Sequence, residues 1–293
     1  MTNEIDPVRR HWMLSARGAS EPWEALTADP AGVDYQEVDA GGTAAMWIEP
    51  AGADPDTVLF YIHGGGFVSG GLSTHRRMVG HLATALGAKA LLVTYGYAPE
   101  HVYPAQLDDV TRAYEWLAHD GQTLIGGDSC GGWLALSLAL SLALPARQRV
   151  AGLLLISPWV DLTQSGASYT TNAGRDPLFA KAFVDGLAGS YLGATDAKDP
   201  AVDLLQADYT GLPPLVIQAG GDETLLDDSR LLDGLARRAG VESHLEVFPG
   251  QLHSFQMAAG RSAVADDAIR KLAQGGKRAA EAKRAKRGTE VPL

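Results

Sequence analysis

A single cysteine, Cys130, in a chain of 293 residues rules out an intramolecular disulfide and any multi-cysteine metal site. A reducing, cytoplasmic setting is therefore expected. Positive charge is also scarce. Lys and Arg number 24 against 35 Asp and Glu, a formal net charge of -11 that repels phosphate backbones and anionic membrane surfaces. No nucleic-acid partner is expected. Long apolar runs are missing too: the stretch 133–144 is interrupted by serines and stops at Pro145, short of the roughly 20 residues a membrane span needs. The opening Met1-Thr2-Asn3-Glu4 lacks the basic start, apolar stretch and cleavage site of a secretory signal. Internal repeats and long Gly/Ser linkers are likewise lacking. What the chain has is apolar material, 46% of its residues, enough to fill a large core.

Short β-rich runs alternate with longer helical ones, the pattern of an α/β sheet. Strands are predicted at 34–38, 44–48, 57–62, 90–94, 123–126, 150–156, 215–218 and 244–247. Several are continuous apolar runs, as strands buried on both faces should be. Helices are predicted at 73–86, 104–119, 129–144, 225–239 and 254–274, with Gly87, Gly240 and Gly275 as C-terminal stops. Two segments stand outside this alternation. Residues 1–32 hold Trp12, Met13 and Trp23, and residues 163–208 hold Phe179, Phe183, Leu187 and Tyr191. Both are expected to form a cap. The core then comprises 33–162 and 209–276, and the basic segment 277–293 is expected to be a solvated helix fraying into a disordered tail.

Gly127-Asp128-Ser129-Cys130-Gly131 matches G-x-S-x-G, directly after a predicted strand and directly before a long helix. In that context the serine occupies a strained turn with its hydroxyl raised above the sheet. Glycines on either side remove Cβ atoms that would collide with neighbouring backbone. The helix beginning there aims its N-H groups and positive dipole end at the place where an oxyanion would develop. Upstream, strand 57–62 runs into His63-Gly64-Gly65-Gly66-Phe67. Consecutive glycines let backbone N-H groups approach a substrate carbonyl closely. His63 has no carboxylate or histidine cluster beside it in the sequence, so its expected task is to hold this loop by hydrogen bonds.

With these motifs the chain resembles the bacterial hormone-sensitive-lipase-like esterases over nearly its whole length. The resemblance includes HGGGF at 63–67 and Gly127-Asp128-Ser129-Cys130-Gly131-Gly132, where the family usually has GDSAGG. Ala98-Pro99-Glu100-His101, Tyr103-Pro104-Ala105 and Ser157-Pro158-Trp159-Val160-Asp161 extend it. Within the family the chain looks most like the group containing monoterpene ε-lactone hydrolases. The resemblance implies an α/β-hydrolase fold, a mostly parallel eight-stranded sheet flanked by helices under a helical cap. It also implies oxyanion donors at the backbone N-H groups of Gly65, Gly66 and Cys130, a structural Asp128, and pairing of two copies along the edge near His244. Two departures stand out: Tyr95-Gly96-Tyr97 replaces the usual Tyr-Arg-Leu, and Cys130 replaces a small alanine, which would narrow the space beside the oxyanion.

A serine hydroxyl needs a base, and the chain offers eight histidines. The chain order in α/β-hydrolases is serine, acid, histidine, which leaves His244 and His253. His244 lies within an alternating strand, whereas His253 follows that strand in a loop at its carboxyl end, where active-site residues of such sheets emerge. His253 also fits the family's Pro-Gly-x-x-His pattern. For the acid, strand 215–218 leads through Gly220-Gly221 to Asp222, the first carboxylate out of the strand, with Glu223, Asp227 and Asp228 as rivals. Asp222 is the expected residue. The expected chemistry is hydrolysis of short-chain or cyclic carboxylic esters through an acyl-enzyme, with no metal or organic cofactor. Amide hydrolysis on the same machinery and a non-catalytic small-ligand receptor are the alternatives. A pocket including Trp12, Phe67, Phe179 and Phe183 is expected.

Overall fold

The computed structural model describes residues 6–18, 22–118 and 121–289. Its strands are β1 (Val33–Asp39), β2 (Ala44–Pro50), β3 (Asp54–Ile62), β4 (Ala88–Val93), β5 (Gln122–Asp128), β6 (Val150–Ile156), β7 (Leu215–Gly220) and β8 (Ser243–Phe248). The apolar runs of β5, β6 and β7 are buried along their whole length. One sheet contains all eight strands in the order β1-β2-β4-β3-β5-β6-β7-β8. β2 is antiparallel to both β1 and β4, and the remaining pairs are parallel. The alternation of elements implied an α/β sheet, and the resemblance implied the α/β-hydrolase sheet observed.

The helices are α1 (Pro7–Ser15), α2 (Leu72–Leu86), α3 (Ala105–Leu117), α4 (Cys130–Ser141), α5 (Leu144–Arg147), α6 (Ser168–Thr171), α7 (Lys181–Leu192), α8 (Leu226–Arg238) and α9 (Ala263–Thr289). Because successive strand side chains point to opposite faces, β3 divides its residues between two cores. Leu59 and Tyr61 pack with Met78 and Leu82 of α2 and Leu272 of α9, while Phe60 and Ile62 pack with Val110 of α3 and Trp133 of α4. α4 is apolar on every side and buried through nearly its whole length.

The C-terminal region departs from expectation. Residues 254–274 do not form one helix: a single 3-10 turn, Phe255–Ala258, precedes α9. Nor does Gly275 stop it, since α9 continues to Thr289. A Cβ on Gly275 would stand 2.8 Å from the Val216 side chain, and one on Gly276 would stand 2.9 Å from Leu86. These glycines let the helix lie close against the sheet. The segment 277–293 is thus helical through Thr289, with Ala279 and Ala280 buried and Arg284 bonded to Asp54 and to the Thr57 hydroxyl. Its last four positions, 290–293, lie outside the described residues, as do 1–5 and 19–21 of the N-terminal cap segment.

From the N-terminal segment, α1 is held by Val8 and Trp12, 0% and 3% exposed. Burial of such side chains contributes about 1.5–3 kcal/mol each. From 163–208, α7 lies over the HGGG loop, where a Cβ on Gly66 would meet Leu187 at 2.8 Å. No helix among the described residues is long and apolar enough to cross a membrane.

Candidate active site

β5 ends at Asp128, and Ser129 turns the chain into α4 with φ 53° and ψ -126°, a left-handed conformation uncommon for a non-glycine residue. The turn can be this tight because of its glycines. A Cβ on Gly127 would lie 2.3 Å from the Gly131 carbonyl oxygen, and one on Gly131 would lie 2.2 Å from that of Ile62. Since β3 pairs directly with β5, with Ile62 opposite Gly127, the HGGG loop emerges beside the serine. Ser129, Gly65 and Gly66 share the wall of one cleft.

Buried side chains lash this loop down. Asp128 Oδ1 accepts hydrogen bonds from the Gly64 N-H at 3.0 Å and the Tyr61 hydroxyl at 3.1 Å, while Oδ2 lies 3.4 Å from His75 Nε2. Burial alone would raise this carboxyl, but attraction and hydrogen bonding from His75, with His63 and Gly64, outweigh it and hold it below its ordinary value. Asp128 therefore joins elbow and loop and is not free to act as an acid. His63 stacks on Tyr95, ring centroids 4.5 Å apart, and its Nδ1 lies 2.7 Å from the Gly64 carbonyl oxygen. Burial, then repulsion from His75, pushes its pKa down to about 3, so it is a neutral structural group.

The Cys130 side chain points beneath the loop rather than into the cleft. Its Sγ accepts from the Phe67 N-H at 3.2 Å and lies 3.5 Å from the Tyr95 hydroxyl, so it does not narrow the space beside the oxyanion. Burial pushes the thiol up to about 11. In the other departing segment, the Gly96 N-H donates to Asp109 at 2.8 Å, the Tyr97 hydroxyl donates to the Gly70 carbonyl at 2.7 Å, and His101 fills the space over Gly96. These contacts hold the loop that carries no arginine.

His253, 2% exposed, lies in the loop after β8 and in the same cleft as Ser129. The Phe179 ring sits 4.5 Å from it, and Trp12 Nε1 donates to its carbonyl oxygen at 3.1 Å. Its Nδ1 and Nε2 are both buried without a hydrogen-bond partner among the described residues.

The structure pairs the expected acid, Asp222, with arginines and places its neighbour beside the histidine. Asp222 turns outward: its carboxylate receives Arg9 of α1 at 3.2 Å and lies 3.7 Å from Arg175. Its neighbour Glu223 is fully buried, with Oε2 3.4 Å from His253 Nδ1. That separation is long for a hydrogen bond, but such contacts in free enzymes often tighten with substrate. At the turn after β7, the Gly221 and Asp222 N-H groups donate to the β8 loop at 2.8 and 2.9 Å. The first carboxylate then projects outward and the second inward, with its extra methylene reaching the imidazole. Spacing along the chain carries no signal separating two adjacent carboxylates.

Of the expected pocket residues, Trp12, Phe179 and Phe183 line the cleft, but Phe67 does not. With φ 64°, Phe67 swings behind the loop and stacks on Tyr191, centroids 3.6 Å apart and planes within 7°. Trp23, Val68, Leu178, Leu187 and Met257 complete the apolar wall, and the cavity volume is about 80 Å³. A wider open depression of about 1000 Å³ on the outer side of α1, lined by Arg10, Arg17 and Arg261 among others, contains none of these catalytic candidates. Among the described residues no group of three or more His, Cys, Asp or Glu is arranged to hold a metal ion.

The family model described as an alpha/beta hydrolase fold matches residues 59–257. An acetyl-hydrolase of Streptomyces hygroscopicus is 35% identical over 254 residues, covering 85% of this chain and 82% of its own. The esterase LipU of Mycobacterium tuberculosis is 33% identical over 281 residues, covering 92% and 93%. The crystal structure of an esterase from the bacterial hormone-sensitive lipase family superposes with a TM-score of 0.87 at 35% identity, over 96% of this chain and all of that one. By sequence and by fold, the chain belongs to the α/β-hydrolase fold family and, within it, to the esterases of the bacterial hormone-sensitive lipase family.

Proposed function

We propose that the protein is a serine carboxylesterase for short-chain or small cyclic esters, with Ser129 as nucleophile, His253 as base and Glu223 as the acid that orients it. Ser129 Oγ attacks the ester carbonyl while His253 Nε2 takes its proton. The tetrahedral oxyanion is held by the N-H groups of Gly65, Gly66 and Cys130, of which each such donor is worth roughly 3–4 kcal/mol in comparable sites. Collapse expels the alcohol, protonated by His253, and leaves an acyl-serine that water hydrolyses by the same route in reverse. Glu223 keeps the imidazole tautomer that presents Nε2 to the serine and stabilises the imidazolium.

The observation that carries the substrate size is the cleft: about 80 Å³, walled by Trp12, Trp23, Phe179, Phe183, Leu187 and Met257, with Ser129 and His253 in the same wall. Pockets for drug-sized ligands run to about 300–1,000 Å³. The acetyl-hydrolase among the relatives agrees with a small acyl group. The test is a series of p-nitrophenyl esters from acetate to decanoate, with lactones and amides beside them. Acetate or butyrate should exceed decanoate in kcat/KM by about tenfold or more, since every excess methylene excluded from an apolar pocket costs about 1 kcal/mol or more. Ser129→Ala should abolish both turnover and labelling by a fluorophosphonate. Faster hydrolysis of emulsified long-chain triglyceride than of acetate would refute the proposed substrate class.

A further inference from the structure

Glu223 and His253 come from different loops, after β7 and after β8, and their register depends on a third element. Ser157, the first residue beyond β6, stands between them. Its hydroxyl donates to Glu223 Oε2 at 2.7 Å, the oxygen that faces His253, and accepts from the Ser254 N-H at 3.2 Å, immediately after His253. Ser157 is fully buried, and its own N-H donates to the Gln218 carbonyl at 2.7 Å. Its φ of 44° is a left-handed conformation that a serine adopts at a cost. The same strand end reaches the nucleophile: the Ser129 N-H donates to the Ile156 carbonyl, and the Trp159 N-H to the Ser129 carbonyl, both at 3.0 Å.

We propose that Ser157 is a positioning residue for the acid-base pair, its hydroxyl holding Glu223 Oε2 and the backbone after His253 in one register. The inference rests on the assignment of Ser129, His253 and Glu223 made above. A serine that only satisfied a strained turn would contribute to stability, whereas one that aims a carboxylate contributes to turnover. The two roles separate experimentally because the backbone and the hydroxyl can be altered independently.

Ser157→Ala and Ser157→Gly both delete the hydroxyl, but glycine suits φ 44° and relieves the strain that alanine retains. On a short aryl ester, both variants should lose about tenfold to a hundredfold in kcat, the range for a hydrogen bond to a charged group. Their KM should stay within about twofold, because the loss lies in the transition state. Their Tm values should differ. In a Glu223→Gln background, deleting the hydroxyl should change kcat by less than about twofold, the carboxylate it aims being gone. Unchanged kcat in both variants, a loss that tracks Tm and vanishes in the glycine variant, or full additivity with Glu223→Gln would overturn the proposal. Wild-type turnover by Glu223→Gln alone would instead overturn the triad assignment beneath it.

Discussion

Replacing Glu223 with Gln and Asp222 with Asn gives paired perturbations at adjacent positions with opposite expected outcomes. Glu223 is fully buried and its Oε2 lies 3.4 Å from His253 Nδ1. At an effective dielectric of about 20, a unit negative charge at that distance attracts a unit positive charge by about 5 kcal/mol. In the proposed mechanism the ring gains positive charge as Ser129 attacks, so this attraction enters the barrier, and at 1.36 kcal/mol per decade it corresponds to a kcat loss of roughly 10³ to 10⁴. Asp222 faces the half-exposed Arg9 and the exposed Arg175. Ion pairs of that kind contribute about 0–1 kcal/mol, so Asp222→Asn should lower kcat by less than about tenfold. Initial rates on p-nitrophenyl acetate, with circular dichroism to confirm folding, measure both. A folded Glu223→Gln enzyme within tenfold of wild type, or an Asp222→Asn enzyme reduced a thousandfold, would refute the assignment of the acid.

His63, held neutral with a pKa of about 3 against an ordinary 6.5, makes stability pH-dependent. The unfolded chain binds a proton there below about pH 6.5 that the folded chain refuses. Stability is therefore complete above that pH and falls by about 1.4 kcal/mol per unit toward pH 3, some 5 kcal/mol in all. Urea unfolding between pH 7 and 4 should show a flatter decline for His63→Asn than for wild type, and equal slopes would remove His63 as a cause. Cys130, fully buried with its thiol pushed up to about 11, should not react with a disulfide reagent in the native protein and should yield one equivalent after denaturation. Cys130→Ala should leave kcat within about threefold, because the thiol's contacts lie beneath the loop; rapid modification of the native enzyme would contradict this placement.

Local pattern alone located much of the architecture. Each of the eight described strands was marked within a few residues, the central ones by continuous apolar runs, because burial on both faces leaves a signature in consecutive side chains, and β1 and β8 by alternation, because one face is solvated. Ser129 and the HGGG loop were legible for a related reason. Glycine is demanded wherever backbone must pass within 2–3 Å of where a Cβ would be, and that demand is written at fixed spacing. Gly275 shows the limit of such reasoning: the same residue type that ends a helix also permits one to press against a sheet, and Val216, the neighbour that decides, is remote in the chain.

The orientation of side chains at the site was decided only by the tertiary structure. Phe67 left the expected pocket because Tyr191 offers its ring a stacking partner behind the loop. Between Asp222 and Glu223 the composition of the turn is silent. Arg9, 213 residues away in sequence, draws the first carboxylate outward, and Ser157, 66 residues away, receives the second beneath His253. Sequence alone was thus enough for the sheet, the tight turn at Ser129 and the glycine loop beside it, since each depends on backbone geometry encoded in neighbouring residues. Which carboxylate lies beside the histidine depends on groups that only folding brings together.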